Sequence, residues 1–260
     1  MTDLGEIATD LTAEQRVLDN IVAGLSDGQW AMPTPSEGWT VSDQIGHLAY
    51  FDGAAATAIA SPEVFKASME ELMSADVDIE ELTLHRRLAP HTLLAAWRVN
   101  RARLDEVAST LAEDTRVIWY GPTMSARSFL TARLMEVWAH GQDIIDALGA
   151  EPVSSDRLRH IARLGFITRG WSYGNRGMKV PDVSVFVDLT SPSGEAWRFG
   201  PGGSANVISG PAADFCLVVT QRRHVKDTRL DVKGDAARDW MEKAQAFAGP
   251  ATDGPAPRSA

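Results

Sequence analysis

Three residues in this chain carry side chains suited to a metal centre. Glu136 and His140 stand four positions apart within the stretch from Ser128 to Asp143. Read as a helix, that stretch places them one above the other on a single face. Far upstream, the stretch from Ile45 to Asp52 presents His47 among apolar neighbours. Two imidazoles and a carboxylate suffice to hold a divalent transition metal and leave coordination positions open for water or substrate. Phe129, Val137, Ile144 and Leu148 flank the Glu136/His140 stripe, and Ile45, Leu48 and Phe51 surround His47. Both faces therefore point inward, where a bare carboxylate is costly unless paired or metal-bound. A structural reading competes with this one. Glu-x-x-x-His is a short, common pattern, Glu136 can pair with Arg133 one turn earlier, and each histidine can be a hydrogen-bonded core residue.

The elements that must position these side chains are mostly helical. Leu4, Ile7, Leu11, Leu18, Ile21, Val22 and Leu25 give residues 3–27 a helical rhythm that Gly28, Pro33 and Pro35 end. Thr40 with Asp43 predicts a capping box that starts the helix carrying His47. Ser61-Pro62-Glu63 predicts a helix over 62–75. A looser acidic stretch covers 76–81, and Leu94, Trp97, Arg101, Leu104, Val107 and Leu111 mark another helix over 91–112. The Glu136/His140 helix is expected from about Ser125 to a left-handed cap at Gly149. A last helix is expected over 155–173, from Leu158, Ile161, Leu164 and Trp171.

Composition then changes. Residues 174–181 read as a linker or turn, and Val183, Val185, Val187 and Leu189 alternate with polar and aromatic positions in the two-residue period of a strand. Further strands are expected near 195–199, 206–209 and 229–233, with helices over 211–221 and 236–247. The Pro-, Gly- and Ala-rich segment 249–260 is expected to be disordered. The fold class is thus α+β: a helical bundle over 1–174, a smaller α+β domain over 182–248, and a tail.

Bulk properties narrow the function. A chain of 260 residues with 44% hydrophobic and 23% charged residues has the composition of an ordinary globular protein. The formal net charge of −10 argues against a nucleic-acid or anionic-membrane surface. No apolar run approaches the ~20 residues of a membrane span. The acidic start Met1-Thr2-Asp3-Leu4-Gly5-Glu6 lacks the form of a signal peptide. With one cysteine, Cys216, no intrachain disulfide forms, and a reducing cytoplasm is the expected location.

The stretch from Gly38 to Leu48 resembles the helix-two signature of the DinB-like superfamily, and more narrowly that of the mycothiol-dependent maleylpyruvate isomerase family. The stretch from Arg133 to Asp143 is similar to that family's second metal motif. The resemblance covers nearly the whole chain. It implies a four-helix metal-binding bundle followed by a domain resembling sterol carrier protein, with His47, Glu136 and His140 as ligands, usually of zinc. It also implies mycothiol, or a similar low-molecular-weight thiol, acting on a small electrophilic substrate in an isomerase or transferase reaction. An open zinc site lowers the pKa of a bound thiol. Cys216, inside an apolar run, reads as a small buried hydrophobe, so the nucleophile must come from outside.

Other residues have both a functional and a plain reading. Asp143 and Asp52 are candidate acceptors for imidazole N–H groups, or solvated helix-surface acids. Arg133 is a candidate partner for a substrate carboxylate, or an ion-pair partner of Glu136. Arg222, with Arg223 and His224, is a candidate cap over an anionic substrate, or a solvated basic turn. His85, His91 and His160 have no assigned role, and Trp97, Trp138 and Trp171 read as core. Two alternatives stay open: a non-haem Fe(II) oxygenase, disfavoured by the helical scaffold, and a non-enzymatic protein binding a metal or an apolar ligand.

Overall fold

The computed structural model describes residues 3–74, 88–121 and 123–258. They fall into two compact units, Met1–Pro152 and Val153–Ala260. His85 and the acidic stretch 76–81 lie outside the described residues.

In the first unit, α1 (Leu4–Val22), α3 (Val41–Ala60), α5 (Pro90–Ala108) and α6 (Ala126–Leu148) form the expected helical bundle. The short α2 (Asp27–Trp30), α4 (Pro62–Ser74) and a hairpin of β1 (Arg116–Val117) and β2 (Met124–Ser125) surround it. Helix α3 packs along α5 and α6, and α1 packs along α6 and α5. The capping box forms as expected: Asp43 N–H donates to Thr40 Oγ1, and Thr40 N–H donates to Asp43 Oδ2 at 2.8 Å. Helix α6 begins at the Ser125 cap and ends at Gly149, whose φ of 61° is left-handed. The first helix departs from expectation. It stops at Val22, because a second capping box between Ser26 and Gln29 starts α2, and Gly28 lies inside that helix.

In the second unit, α7 (Leu158–Ile167) and α8 (Arg169–Gly174) precede a four-stranded sheet ordered β4 (Ala196–Phe199), β3 (Phe186–Thr190), β5 (Val207–Pro211), β6 (Asp231–Lys233). Strands β3 and β5 are parallel and the other neighbours antiparallel, so Val187 lies opposite Phe199 on one side and Ile208 on the other. Val185, Val187 and Leu189 are buried, as the alternation predicts, but the strand starts only at Phe186 and Val183 is exposed. Helices α9 (Ala212–Val219) and α10 (Asp235–Lys243) complete the unit.

Four expectations need correction here. The helix over 155–173 breaks at Thr168, whose hydroxyl donates to the carbonyls of Leu164 and Gly165. It packs on α9 and β4, so the boundary lies at 152 rather than 174. Gly165 permits that packing, since a Cβ there would come within 2.7 Å of Val219 Cγ2. Residues 249–258 are tied down rather than loose. Asn175 donates to the Gly249 carbonyl and Gln245 to that of Pro250, Arg176 and Gln221 both donate to that of Thr252, and Arg258 N–H donates to Asp227. Trp171 is 39% exposed, with its indole N–H donated to the Phe247 carbonyl, whereas Trp97 and Trp138 are buried as expected.

Among the described residues no helix is long and apolar enough to cross a membrane. Helix α1 is held to α5 by Asp19, which accepts from Arg98 Nε at 2.9 Å and also pairs with Arg101. The Arg98 hydrogen bond is the main cause that holds the Asp19 carboxyl below its usual range, with Arg101 assisting against the cost of burial. A carboxyl depressed in the folded state contributes stability above its unfolded pKa of about 3.9 and loses it as pH falls through the folded value. Asp19→Asn is therefore expected to lower Tm at pH 7 and to narrow its deficit below about pH 4, measured by thermal melts across pH. Thr40→Ala removes one half of the α3 cap. It is expected to cost about 1 kcal/mol, read as a lower Tm.

Candidate metal centre

The fold brings His47 of α3 against Glu136 and His140 of α6. Glu136 Oε2 lies 3.4 Å from His47 Nε2 and 3.2 Å from His140 Nε2. One ligand atom from each of the three residues falls within 4.8 Å of the others. The imidazole rings approach to 4.3 Å between centroids. Burial by itself would raise the Glu136 pKa. Hydrogen bonds with His140 and His47, with the charges of His140 and Arg133, outweigh it and hold the group well below the usual carboxylate range.

This donor set suits a divalent metal. Two Nε2 atoms converge on one carboxylate oxygen, and each contact needs either a proton or a cation between the two atoms. The Nδ1 atom of His47 is buried without a hydrogen-bond partner among the described residues, so within them that ring has its bonding capacity directed at Glu136. Trp39 lies face-on to His140 at 5.8 Å and an interplanar angle of 12°, and tilted to His47 at 5.3 Å; Phe51 contacts His47 at 4.5 Å. Aromatic walls of this kind thin out water around the donors, which strengthens electrostatic interactions within.

Beneath the centre sits a buried polar network, and its composition corrects two readings. Arg133 pairs with Asp52, Nη2 to Oδ1 at 3.3 Å, and its guanidinium lies 5.8 Å from the Phe51 ring and 5.9 Å from that of Trp119. Its ion-pair partner is thus Asp52 rather than Glu136. Asp52 is not at the surface. It is fully buried and also accepts from Gln15 Nε2 and Trp97 Nε1, both at 3.0 Å. One carboxylate therefore joins α1, α3, α5 and α6. Burial pushes Asp52 up in pKa, against the pull of Arg133 and the other donors. Asp143 accepts from Ser36 Oγ at 3.2 Å, which anchors the turn before α3 to α6.

Several residues at the centre carried no role in the sequence reading. Gln44, one turn before His47, is completely buried, and its Oε1 meets His140 Nδ1. Trp39 lies in the stretch from Gly38 to Leu48, and Trp119 reaches the network from the β1–β2 hairpin. The i−3 spacing of Gln44 from His47 was the one available signal. Arg222, Arg223 and His224 lie in the second unit. There Arg222 donates to the Thr220 carbonyl, Arg223 to that of Arg222, and His224 Nδ1 accepts from Lys226 N–H. His160 is buried and His91 is exposed.

Residues 11–145 match the family model described as the mycothiol maleylpyruvate isomerase N-terminal domain. The chain belongs to this family. It is also similar to an uncharacterized protein of Mycobacterium tuberculosis found in two strains, 42% identical over 257 residues, covering 96% of this chain and 98% of the relative. Crystal structures of the mycothiol-dependent maleylpyruvate isomerase and a histidine-to-alanine variant of it share the fold. Identity is 22% and 21%, the TM-score is 0.57 for both, and 85% of this chain and 90% of theirs are covered.

The network beneath the centre generates a stability prediction. Asp52→Ala leaves Arg133 buried without its counter-charge and is expected to cost about 3–5 kcal/mol. Asp52→Asn retains acceptor capacity toward Trp97 and is expected to cost less. Denaturant unfolding of both variants provides the comparison.

Proposed function

We propose that His47, Glu136 and His140 hold a divalent metal, zinc, and that the protein directs an external low-molecular-weight thiol, mycothiol, at a small electrophilic substrate as an isomerase or S-transferase. The observation that carries the metal reading is the convergence of both imidazole Nε2 atoms on one carboxylate oxygen. Membership of the isomerase family supports the thiol reading. When bound, zinc supplies Lewis acidity that lowers the pKa of a coordinated thiol.

This chain's own residues define the rest. Glu136 stays ionised at neutral pH and supplies the negative charge of the centre. Trp39 and Phe51 wall it against water. Cys216 cannot serve as the nucleophile, because its thiol is fully buried and burial pushes its pKa far up. In the isomerase case the thiol gives up its proton, its sulfur adds to a conjugated double bond, the resulting single bond rotates, and elimination restores both double bond and thiol. In the transferase case the adduct takes up a proton and leaves. Thiols of this kind are held reduced in the cytoplasm, the location in keeping with this reading. For the second unit we adopt the sterol-carrier-like reading, supported by its four-stranded mixed sheet and flanking helices.

Elemental analysis of the purified protein beside a His47→Ala, His140→Ala double variant tests the metal. About one zinc per chain, lost in the variant, is expected. Metal absent from both after metal-replete expression overturns the reading, and iron with oxygen consumption transfers it to Fe(II) chemistry. The zinc-loaded protein is then expected to turn over an activated alkene only when a thiol is present. Turnover indifferent to thiol would remove the second half of the proposal.

A further inference from the structure

The buried amide of Gln44 is bonded at both ends, and the second bond fixes which way it faces. Its Nε2 donates to Thr34 Oγ1 at 2.9 Å, and the Thr34 hydroxyl donates in turn to the Trp39 carbonyl at 3.0 Å. A hydroxyl has one proton. Once it is committed to Trp39, Thr34 can only accept, so Gln44 must turn its NH2 toward Thr34 and its Oε1 toward His140. An amide oxygen only accepts, so the Nδ1 atom of His140 that it meets must carry a proton. The Nε2 atom of His140 is thereby turned, ready to give up its proton or bind a cation, toward Glu136 and His47.

The carbonyl that ends this chain is itself fixed. Residues 36–39 form a tight turn in which Trp39 N–H donates to the Ser36 carbonyl at 3.0 Å and Gly38 has φ of 75°. That angle is open to glycine and strained for other residues. Thr34 N–H also donates to the Trp39 carbonyl at 2.8 Å, and Thr40 pairs with Pro33 across the loop.

We propose that Gln44, oriented by Thr34 and the Trp39 carbonyl, is a positioning residue that keeps the proton of His140 on Nδ1 and presents Nε2 to the centre. The inference rests on the metal-centre reading for its purpose, though not for its geometry. A histidine ligand whose other ring nitrogen is held by an oriented acceptor binds metal more tightly, and losing such a partner typically costs 10–100-fold in affinity. In this centre the partner is a neutral amide rather than a carboxylate, set by a loop that carries no ligand.

Two readouts separate the inference from the reading it rests on. The first is the His140 Nδ1–H resonance of the metal-free protein. It is expected to be sharp and slow to exchange in the wild type and in Gln44→Glu, and lost in Gln44→Leu. The second is zinc affinity by competition with a chelating dye. It is expected to fall about 10–100-fold in Gln44→Leu, to be kept in Gln44→Glu, and to fall in Thr34→Val. Thr34→Val touches neither imidazole; it removes the acceptor that orients Gln44 and the hydroxyl's bond to the Trp39 carbonyl, while the Thr34 N–H bond to that carbonyl stays. A Gln44→Leu protein that keeps both the resonance and zinc affinity within about twofold overturns the proposal, well short of the 10–100-fold loss. If Gln44→Leu fails to fold, judged by circular dichroism, Thr34→Val decides by the same two criteria. If the wild type binds no zinc, the metal reading fails, and the resonance alone judges the orientation of Gln44.

Discussion

One carboxylate oxygen, Glu136 Oε2, is shared by two imidazoles that reach it from helices far apart in the chain. That sharing requires α3 and α6 to lie close together while three ionisable side chains are withdrawn from most of the solvent. Withdrawal is expensive unless each group is met by an opposite charge or a hydrogen bond. The bundle meets this demand from below. Asp52 collects a donor from each of the other three main helices, Gln15, Trp97 and Arg133, so the charge that compensates Arg133 also fixes the spacing between helices. Arg133 in turn lends positive potential to Glu136 one helical turn along. Helix packing and the electrostatics of the centre are therefore parts of a single arrangement.

Above the ligands, the loop from 31 to 40 plays the complementary part. It is too short to have a core of its own, and its order comes from turn chemistry. A glycine at a positive φ, a hydroxyl bonded to a main-chain carbonyl and a serine tied to Asp143 of α6 set its shape. The loop delivers the Trp39 ring against both imidazoles. It ends in the capping box that starts α3, so the helix bearing His47 and the loop covering it share one fixed point. Neither could shift without moving the other.

The second unit follows a different logic. Its parallel β3–β5 pair is covered by helices, and its lone cysteine is buried where an apolar surrounding disfavours the thiolate. Its chain end is held by side-chain donors to main-chain carbonyls, a mode of ordering that composition does not reveal. A Pro- and Gly-rich segment offers few side chains to bury. It still offers a carbonyl at every residue, and arginine, glutamine and asparagine side chains take them up.

The sequence by itself determined α3 and α6 and most of α1 and α5, because their signals are local. Thr40 with Asp43 specifies a start, Ser125 and Gly149 specify both ends of α6, and the i, i+4 spacing of Glu136 and His140 specifies a shared face. It also determined the strand at Val187 and Leu189 through its two-residue period, and it marked His47, Glu136 and His140 as candidates that belong together. Tertiary structure alone decided the partners. Nothing near Asp52 in the chain points to Gln15, Trp97 and Arg133, and nothing near Gln44 points to His140, because these contacts span 37 to 96 residues. The break at Thr168, the unit boundary at 152 and the exposure of Trp171 depend in the same way on what packs alongside. Caps and periods are written in neighbouring residues, whereas a buried charge takes its meaning from whichever groups the fold sets against it.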